Sequence, residues 1–138
     1  MLRKKKPLWI PVVTALIRKR DEVLVGLRPE GHALSGLWEF PGGKIEPGES
    51  PEVALHRELK EEIEIDSTIG ALRLACTHTY GTTGIIILFY EVNYWRGEPK
   101  SAHHTAIRWI KIKDLRSLPL PAANQKALPD ILAVLENP

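Results

Sequence analysis

Apolar runs separated by short polar segments occupy the first third of the chain, a pattern that predicts β-strands. Runs rich in β-branched and aliphatic residues occupy residues 8–17 and 22–27, and the polar residues 18–21 between them predict a hairpin. A polar loop over residues 28–36 then leads to a short strand over residues 37–40. This part of the chain is therefore predicted to be sheet up to a glycine-rich turn.

A helix is predicted over residues 51–63, directly after that turn. Ser50 is a favourable N-cap, and Pro51 suits the first helical position. An apolar stripe recurs at every fourth position and comprises Leu55, Leu59 and Ile63. Because these signals agree with one another, the segment is expected to pack on the sheet as a helix.

The second half of the chain is again mostly β in pattern and closes with a helix. The predicted strands cover residues 68–80, 84–95 and 106–112, with a hairpin turn at 81–84, a loop at 96–105 and one helical turn at 114–117. Helical spacing of apolar residues predicts a helix over residues 122–135, in which Pro129 should cause a kink or a restart. Strands interleaved with two helices predict one α/β domain over residues 1–138, with a mixed sheet between helical layers.

The first helix carries a second stripe, which is acidic. Glu58, Glu61 and Glu62 share one face because they lie three and four positions apart. Their like charges repel, and a divalent cation such as Mg²⁺ or Mn²⁺ would reverse that effect because it prefers hard oxygen ligands. Gly42 and Gly43 in the preceding turn let the backbone approach a phosphate or a metal. The segment is therefore a candidate metal site.

Length and composition indicate an ordinary globular protein. The chain has 138 residues, of which 43% are hydrophobic and 26% are charged. A formal net charge of +2 is too small to indicate nucleic-acid binding by itself. The one cysteine, Cys76, excludes an internal disulfide and is expected to be a small buried side chain rather than a reactive thiol.

A basic cluster at residues 3–6 precedes an apolar run, as it does in a secretion signal. Pro11 interrupts that run, however, a second basic cluster follows at residues 18–20, and no small-residue cleavage site is present. The longest apolar run, residues 85–90, is too short to cross a bilayer. A cytoplasmic protein without membrane contact is therefore expected.

The glycine turn and the acidic helix together resemble the Nudix box, G-x5-E-x7-R-E-U-x-E-E-x-G-U, in which U is aliphatic. The matching residues are Gly43, Glu49, Arg57, Glu58, Leu59, Glu61, Glu62 and Ile65. One position departs, because Glu64 stands where the family has a glycine that ends the helix in a left-handed conformation. The resemblance implies the Nudix fold, an α/β/α sandwich, and the departure puts the helix end in question rather than the metal ligands.

The resemblance also implies a metal site and a catalytic centre. The expected ligands of Mg²⁺ (or Mn²⁺) are the carboxylates of Glu58, Glu61 and Glu62 and the carbonyl of Gly42. Glu61, Glu62 and Glu58 are the expected catalytic residues, together with Arg57. Glu49 is expected to pair with Arg57 as structural support, so that Arg57 orients the carboxylates. Direct contact between Arg57 and phosphate is the alternative.

Outside the box, the chain resembles MutT-type enzymes over nearly its whole length. The run LWEFPGGKIE over residues 37–46 is very like theirs. That run supplies three expected substrate-binding residues, Phe40, Gly43 and Lys44. Arg28 matches an arginine that helps to hold the nucleotide, and its alternative is a solvated loop arginine. Asn124 matches an asparagine that reads a purine edge, since an amide both donates and accepts, and its alternative is a helix N-cap or first-turn residue.

A second departure concerns the general base. Many relatives have a glutamate just before the tryptophan that is matched by Trp109, and this chain has Arg108. The base would then be a box glutamate, or His103 or His104 nearby, although loop histidines are often solvated spectators. Alternatively, Arg108 weakens turnover.

Three functions follow from the resemblance. The first is a Mg²⁺-dependent pyrophosphohydrolase that converts a nucleoside triphosphate, such as the oxidised purine 8-oxo-dGTP, to a monophosphate and pyrophosphate. The second removes pyrophosphate from triphosphorylated RNA 5′ ends, because residues 74–80 and 84–99 are similar to a small Nudix RNA 5′-pyrophosphohydrolase. The third is a catalytically inactive nucleotide-binding module, against which the retained box carboxylates argue.

Two further expectations concern partners. If RNA is the substrate, residues 3–6 and the pair Trp95 and Arg96 would hold it through phosphate contact and stacking, with a mobile solvated tail as the alternative for residues 3–6. The family resemblance and the aromatic strand predicted over residues 84–95 also make a homodimer an expectation.

Overall fold

The computed structural model describes residues 8–31 and 34–138, so the basic residues 3–6 lie outside the described residues. In the described ranges the strands are β1 (Leu8–Lys19), β2 (Glu22–Leu27), β3 (Trp38–Glu39), β4 (Gly42–Lys44), β5 (Asp66–Thr68), β6 (Leu72–Tyr80), β7 (Thr83–Val92), β8 (Tyr94–Arg96) and β9 (Ala106–Lys111). The helices are α1 (Pro51–Ile63) and α2 (Ala122–Glu136), with a 3-10 helix at Ile112–Ser117 between β9 and α2.

A mixed sheet forms the middle layer of the described part of the chain. Its strands run in the order β3-β2-β1-β7-β6, while β4 also pairs with β1 and β9 also pairs with β2. β1 and β7 are parallel along their shared length, and the other pairs in this sheet are antiparallel. The mixed sheet expected from the sequence is therefore confirmed.

Each face of the sheet is covered by one α-helix and has its own apolar core. On one face, Leu55, Leu59 and Ile63 of α1 are fully buried against the odd-numbered residues of β1. On the other face, Ile131 of α2 packs in a cluster with Phe89 and the even-numbered side of β1. Successive strand residues point to opposite faces, so the two helices lie on opposite sides. This is the α/β/α sandwich that the resemblance implies.

Helix α1 begins and ends where the sequence predicts. The hydroxyl of Ser50 accepts a hydrogen bond from the Val53 N–H at 3.2 Å, as expected of an N-cap. At the other end, Glu64 adopts the left-handed conformation (φ 58°, ψ 35°), and its N–H donates to the Lys60 carbonyl. The glutamate thus takes the conformation of the glycine that it replaces, at a cost of about 1 kcal/mol. The departure from the box leaves the helix end in place.

Helix α2 continues through Pro129 as one helix, so of the two predicted alternatives, a kink or a restart, the restart does not occur. Proline removes one backbone hydrogen bond, at a cost of up to ~3 kcal/mol in a helix interior. Leu128 and Ile131, on either side of the proline, are buried in the same apolar cluster. Their packing holds both parts of the helix on the sheet and offsets that cost.

Three strand predictions need correction, and each error has a non-local cause. The predicted strand over residues 68–80 is divided into β5 and β6, because β5 pairs with β8 in a separate two-stranded sheet. The predicted strand over residues 84–95 ends at Val92 and resumes at Tyr94 for the same reason. Gly42 and Gly43, predicted as a turn, form part of strand β4 beside β1. A Cβ on Gly42 would lie 2.1 Å from the Val13 carbonyl oxygen, so this pairing requires glycine.

Strand β7 is an inner strand of the sheet and has no free backbone edge for self-association. The aromatic strand lies between β1 and β6, so its backbone is already paired on both sides, and β6 is the edge strand. The homodimer stays a prediction, without support from this strand. None of the helices in the described ranges has the length and apolar character needed to cross a membrane.

Candidate active site

A cleft of about 300 Å³ opens between β4, the end of α1 and the start of α2. This volume is at the lower end of the range of small-molecule sites. Seven residues with candidate functions predicted from the sequence line it, namely Arg28, Phe40, Gly42, Gly43, Glu62, His103 and Asn124. The fold therefore brings together residues that are as far apart in sequence as β2 and α2.

Arg57 ties the loop before α1 to the helix. Its guanidinium donates to both carboxylate oxygens of Glu49, at 2.6 and 2.7 Å, and to the Lys44 carbonyl at 3.2 Å. It also donates to Glu58 at 2.9 Å. The hydrogen bonds from Arg57, followed by one from the Glu46 N–H, lower the pKa of Glu49 to about 2, and the contacts with Glu49 and Glu58 raise the pKa of Arg57. Arg57 does not line the cleft, and its contacts with Glu49 and Glu58 fit the predicted role as a support for the carboxylates, which stays a prediction.

Glu62 is in the opposite electrostatic situation. It lines the cleft, and one of its carboxylate oxygens accepts a hydrogen bond from the Gly42 N–H at 3.3 Å. Burial, followed by the negative charges of Glu58 and Glu39, raises its pKa to about 8, although the Gly42 N–H and Arg28 act the other way. The protein therefore supplies too little positive charge near Glu62 to stabilise the ionised form of this carboxylate.

The glycine at position 43 makes room for a second carboxylate. A Cβ there would lie 2.4 Å from the Glu58 carboxylate carbon, so any other residue would displace this carboxylate from its place against β4. Glu61 is different, because its side chain is 61% exposed and its nearest ion-pair partner is Arg57 at 3.5 Å. Glu58 and Glu62 thus lie near β4, and Glu61 extends into solvent.

The donor set fits a hard divalent cation, although it is not assembled as a finished coordination shell. Glu58, Glu62 and the Gly42 backbone offer oxygen ligands beside a glycine cradle, and a bound cation would supply the positive charge that an ionised Glu62 lacks. Among residues 8–31 and 34–138, no three acidic, histidine or cysteine side chains already converge as metal ligands do. The contact of Glu58 with Arg57 and the exposure of Glu61 explain this, so side-chain rotation would have to accompany metal binding.

The predicted substrate-binding residues occupy different kinds of position. Asn124 lies in the first turn of α2, whose N-cap is Pro121, and its position also lines the cleft. Phe40 is only 4% exposed, and its ring packs edge-on against Phe89, so it supports the cleft from below. The side chain of Lys44 is not part of the cleft lining, whereas its carbonyl binds Arg57.

Glu39 is a site residue that the sequence prediction missed. Its carboxylate lines the cleft and pairs with Arg28 at 2.7 Å and with His104 at 2.9 Å. The available signal was an acidic residue between two aromatic residues, Trp38 and Phe40, because a charge among buried or partly buried apolar neighbours normally has a partner. Thr14 and Tyr80 also line the cleft and were not singled out.

The residues that bear on the identity of the general base lie in different places relative to the cleft. The guanidinium of Arg108 lies over the Trp38 ring, 5.5 Å from its centre, and Arg108 does not line the cleft. His104 is buried and bonded to Glu39, which leaves His103 as the histidine that lines the cleft. Arg108 therefore does not occupy the place of a cleft carboxylate.

The two residues proposed for RNA stacking lie in β8, in the separate two-stranded sheet. The Trp95 ring is stacked on Trp109, with centroids 5.8 Å apart and planes 26° apart, and it packs against the core on the α1 side. One face of the indole is thus already covered. Neither Trp95 nor Arg96 lines the cleft.

Comparison with known proteins agrees with this fold and site. A family model described as NUDIX domain matches residues 12–130. A protein of Escherichia coli (strain K12) named CTP pyrophosphohydrolase is 35% identical over 127 residues, which cover 91% of this chain and 93% of that protein. A Haemophilus influenzae protein named 8-oxo-dGTP diphosphatase is 36% identical over 129 residues, which cover 93% and 95%. The solution structure of the E. coli ORF135 protein has a TM-score of 0.84 at 32% identity and covers 93% of this chain and 91% of that one.

The glycine cradle, the acidic helix and the sandwich thus have one common explanation: the chain belongs to the Nudix family. It is a hydrolase that acts on phosphorus-containing anhydrides. Nudix hydrolases generally use divalent metal ions.

Proposed function

We propose that this protein hydrolyses nucleoside triphosphates to the nucleoside monophosphate and pyrophosphate, with Mg²⁺ as the cofactor and the oxidised purine 8-oxo-dGTP among its substrates. One observation carries the proposal: Glu62, whose ionised form the protein does not stabilise by itself, lines the same cleft as Arg28 and Asn124. A polyphosphate with its cation supplies the missing positive charge, and an amide suits a nucleobase. The relatives named above as a triphosphate pyrophosphohydrolase and a diphosphatase support this assignment.

The proposed metal ligands are Glu58, Glu61, Glu62 and the Gly42 carbonyl. A bound divalent ion would neutralise charge on the phosphates, polarise a phosphoryl oxygen and activate water. Arg57 keeps the loop and α1 in register, since it binds Glu49 and Glu58 at once. These residues, with Glu62 at the cleft, form the proposed catalytic centre.

The remaining residues hold the substrate. Arg28 is proposed to bind the polyphosphate, because it lines the cleft and stays positively charged. Asn124 is proposed to read the base from the start of α2, and Phe40 and Gly43 shape the floor. Lys44 stays a predicted substrate contact whose side chain would have to reach in from outside the lining. The predicted cytoplasmic location fits a free nucleotide substrate.

Pyrophosphate release from a panel of substrates tests the proposal. The panel is 8-oxo-dGTP, dGTP, CTP and a triphosphorylated oligoribonucleotide, each with Mg²⁺ and with EDTA. We expect Mg²⁺-dependent release from the free triphosphates, fastest with 8-oxo-dGTP. Preference for CTP would move the base assignment to a pyrimidine, and preference for the oligoribonucleotide would favour the RNA 5′-pyrophosphohydrolase. Nucleotide binding without release from any substrate would contradict the proposal and indicate an inactive binding module.

A further inference from the structure

A buried histidine reaches the cleft indirectly, through one carboxylate. The His104 side chain is 0% exposed, and its Nε2 lies 2.9 Å from one oxygen of Glu39. The other oxygen of Glu39 accepts a hydrogen bond from Arg28 at 2.7 Å. Glu39 and Arg28 both line the cleft, whereas His104 does not. The three residues form a chain that begins inside the protein and ends at the cleft wall.

The burial of the His104 imidazole carries a free-energy cost that an apolar side chain at this position would avoid. Its Nδ1 is buried and has no hydrogen-bond partner among the described residues. An unsatisfied buried polar atom costs about 1–3 kcal/mol, and an apolar side chain of similar size would fill the space without that cost. The one polar contact that the ring makes through its nitrogens in the described structure is with Glu39. This position is therefore used to direct Glu39.

The strand opposite is shaped to accept the imidazole. A Cβ on Gly26 of β2 would lie 2.6 Å from the His104 ring, and glycine in a strand interior weakens the strand. The backbone of His104 is also fixed, because its carbonyl accepts a hydrogen bond from the Ser101 hydroxyl. Gly26 thus supplies the space that the ring occupies, and the ring has little freedom to turn away from Glu39.

We propose that His104 is a positioning residue, which acts through Glu39 to aim the Arg28 guanidinium at the polyphosphate of the substrate. The part played by the polyphosphate rests on the proposed function. A glutamate side chain has three rotatable bonds, and a bond to Arg28 alone would let the pair move together in the partly exposed cleft wall, where their side chains are 19% and 26% exposed. The bond from His104 fixes the second oxygen, so Arg28 is held ready before substrate binds. Such pre-organisation lowers the entropy cost of binding.

Steady-state kinetics with nucleotide and Mg²⁺ provide the first test. His104→Ala should raise KM about 10-fold and change kcat less than about 3-fold, as expected when uniform binding is lost. His104→Gln, whose amide can still donate to Glu39, should recover most of this loss. In an Arg28→Ala background, His104→Ala should change KM less than about 2-fold, because the residue through which it acts is gone. Equal effects in both backgrounds would overturn the proposal.

Two further variants separate positioning from stability. Gly26→Ala displaces the ring without removing a polar group, so it should raise KM as His104→Ala does, and Arg28→Ala should again abolish the effect. His56→Ala is the matched control, since His56 is bonded to Asp66 at the same distance of 2.9 Å outside the cleft. It should leave KM unchanged. A fall in melting temperature for His104→Ala and His104→Gln with unchanged KM would show a structural role only.

A spectroscopic arm reads the same contact without catalysis. Arg28 donates to Glu39 through Nη1, so the Nη–H NMR signals of Arg28, identified by their loss in Arg28→Lys, should shift and exchange faster with water in His104→Ala than in the wild type. They should be retained in His104→Gln. If no nucleotide is hydrolysed but these signals behave as expected, the proposed function fails and the positioning survives. If the signals are the same in all His104 variants, the positioning is wrong whatever the activity.

Discussion

Two glutamates of the Nudix box, one in the loop before α1 and one near the end of α1, lie in opposite electrostatic environments. Both oxygens of Glu49 accept hydrogen bonds from Arg57, and the pKa of Glu49 falls to about 2. Glu62 accepts one longer bond from the Gly42 N–H, lies near Glu58 and Glu39, and its pKa rises to about 8. The protein thus balances the charge on the loop side of α1 and leaves it unbalanced on the cleft side.

This difference indicates a division of labour within one motif. The Arg57–Glu49 pair fixes the shape of the loop and needs nothing from outside the protein. An ionised carboxylate on the cleft side is balanced only when a cation arrives, because Arg28, the one arginine among the described residues that line the cleft, is already bonded to Glu39. The proposed substrate with its metal ion would supply that cation on the cleft side.

The largest effect is expected from changes on the cleft side. Glu62→Gln and Glu61→Gln should each reduce kcat at least ~100-fold without unfolding, the scale of lost electrostatic or acid–base catalysis. Pyrophosphate release at saturating Mg²⁺ measures this, and Glu64→Gln, with the same change of charge at the end of α1, should keep normal kcat. Near-normal turnover in both site variants would refute the assignment. An increase in KM alone would move these residues to substrate binding.

Changes on the loop side should have a smaller effect on turnover. Arg57→Lys keeps the charge but loses the forked contact with Glu49, so we expect activity to fall about 10-fold and the apparent affinity for Mg²⁺ to weaken. Rates measured across a Mg²⁺ series would show both changes. The control is Arg73→Lys. Arg73 lies outside the cleft and donates a hydrogen bond to Glu91 at 3.3 Å. Equal losses in the two variants would mean that Arg57 has no special role.

The two carboxylates should also give stability opposite dependences on pH. The pKa of Glu62 in the metal-free fold, about 8, exceeds its ordinary value of 4.5, so the folded protein keeps a proton that the unfolded chain loses, and stability falls as pH rises between these values. With EDTA at pH 9, Glu62→Gln should therefore raise the free energy of unfolding by about 1–2 kcal/mol, less than the full shift implies because solvent reaches this half-buried group. At pH 4 the variant and the wild type should be equally stable.

The contribution of Glu49 to stability should depend on pH in the opposite direction. Its pKa of about 2 lies below the ordinary 4.5, so its contribution is present above pH 4.5 and is lost as pH falls towards 2. Glu49→Gln should be less stable than the wild type at pH 7, and the difference should shrink in acid. Urea unfolding at several pH values measures both variants. Parallel pH profiles for Glu49→Gln and Glu62→Gln would remove the contrast between the two sides.

The smallest effect is expected from a change at Glu64, which ends α1 and belongs to neither the loop side nor the cleft side. Glu64→Gly relieves a positive φ of 58° and should stabilise the fold by about 0.5–1 kcal/mol with unchanged kcat. Thermal unfolding together with a single activity assay is sufficient to check this. A change in kcat would mean that the end of the helix influences the carboxylates after all.

The sequence was sufficient where the deciding interactions are local. The bounds of α1 follow from Ser50, Pro51 and an apolar stripe, all within one segment, and the helix ends where the box places its end because Glu64 takes the glycine conformation. The division of the strand over residues 68–80 could not be foreseen, because β5 pairs with β8, which is distant along the chain.

The same limit applies to the site. The box residues and Arg28 could be named from spacing and resemblance. Glu39 was missed because its meaning depends on His104, 65 positions later, and on the space that Gly26 leaves for the ring. The opposite charge balance of Glu49 and Glu62 was also not visible, since both are simply glutamates of one motif until burial and neighbours are known.

Calorimetric titration of the protein with Mg²⁺, in the presence of a non-hydrolysable nucleoside triphosphate, tests the central claim most directly. The charge imbalance at Glu62 requires saturable uptake of the cation together with the nucleotide, strongly weakened in Glu62→Gln and retained in Glu64→Gln. If the folded wild-type protein takes up no divalent ion under these conditions, the cleft is not a metal-dependent hydrolytic site.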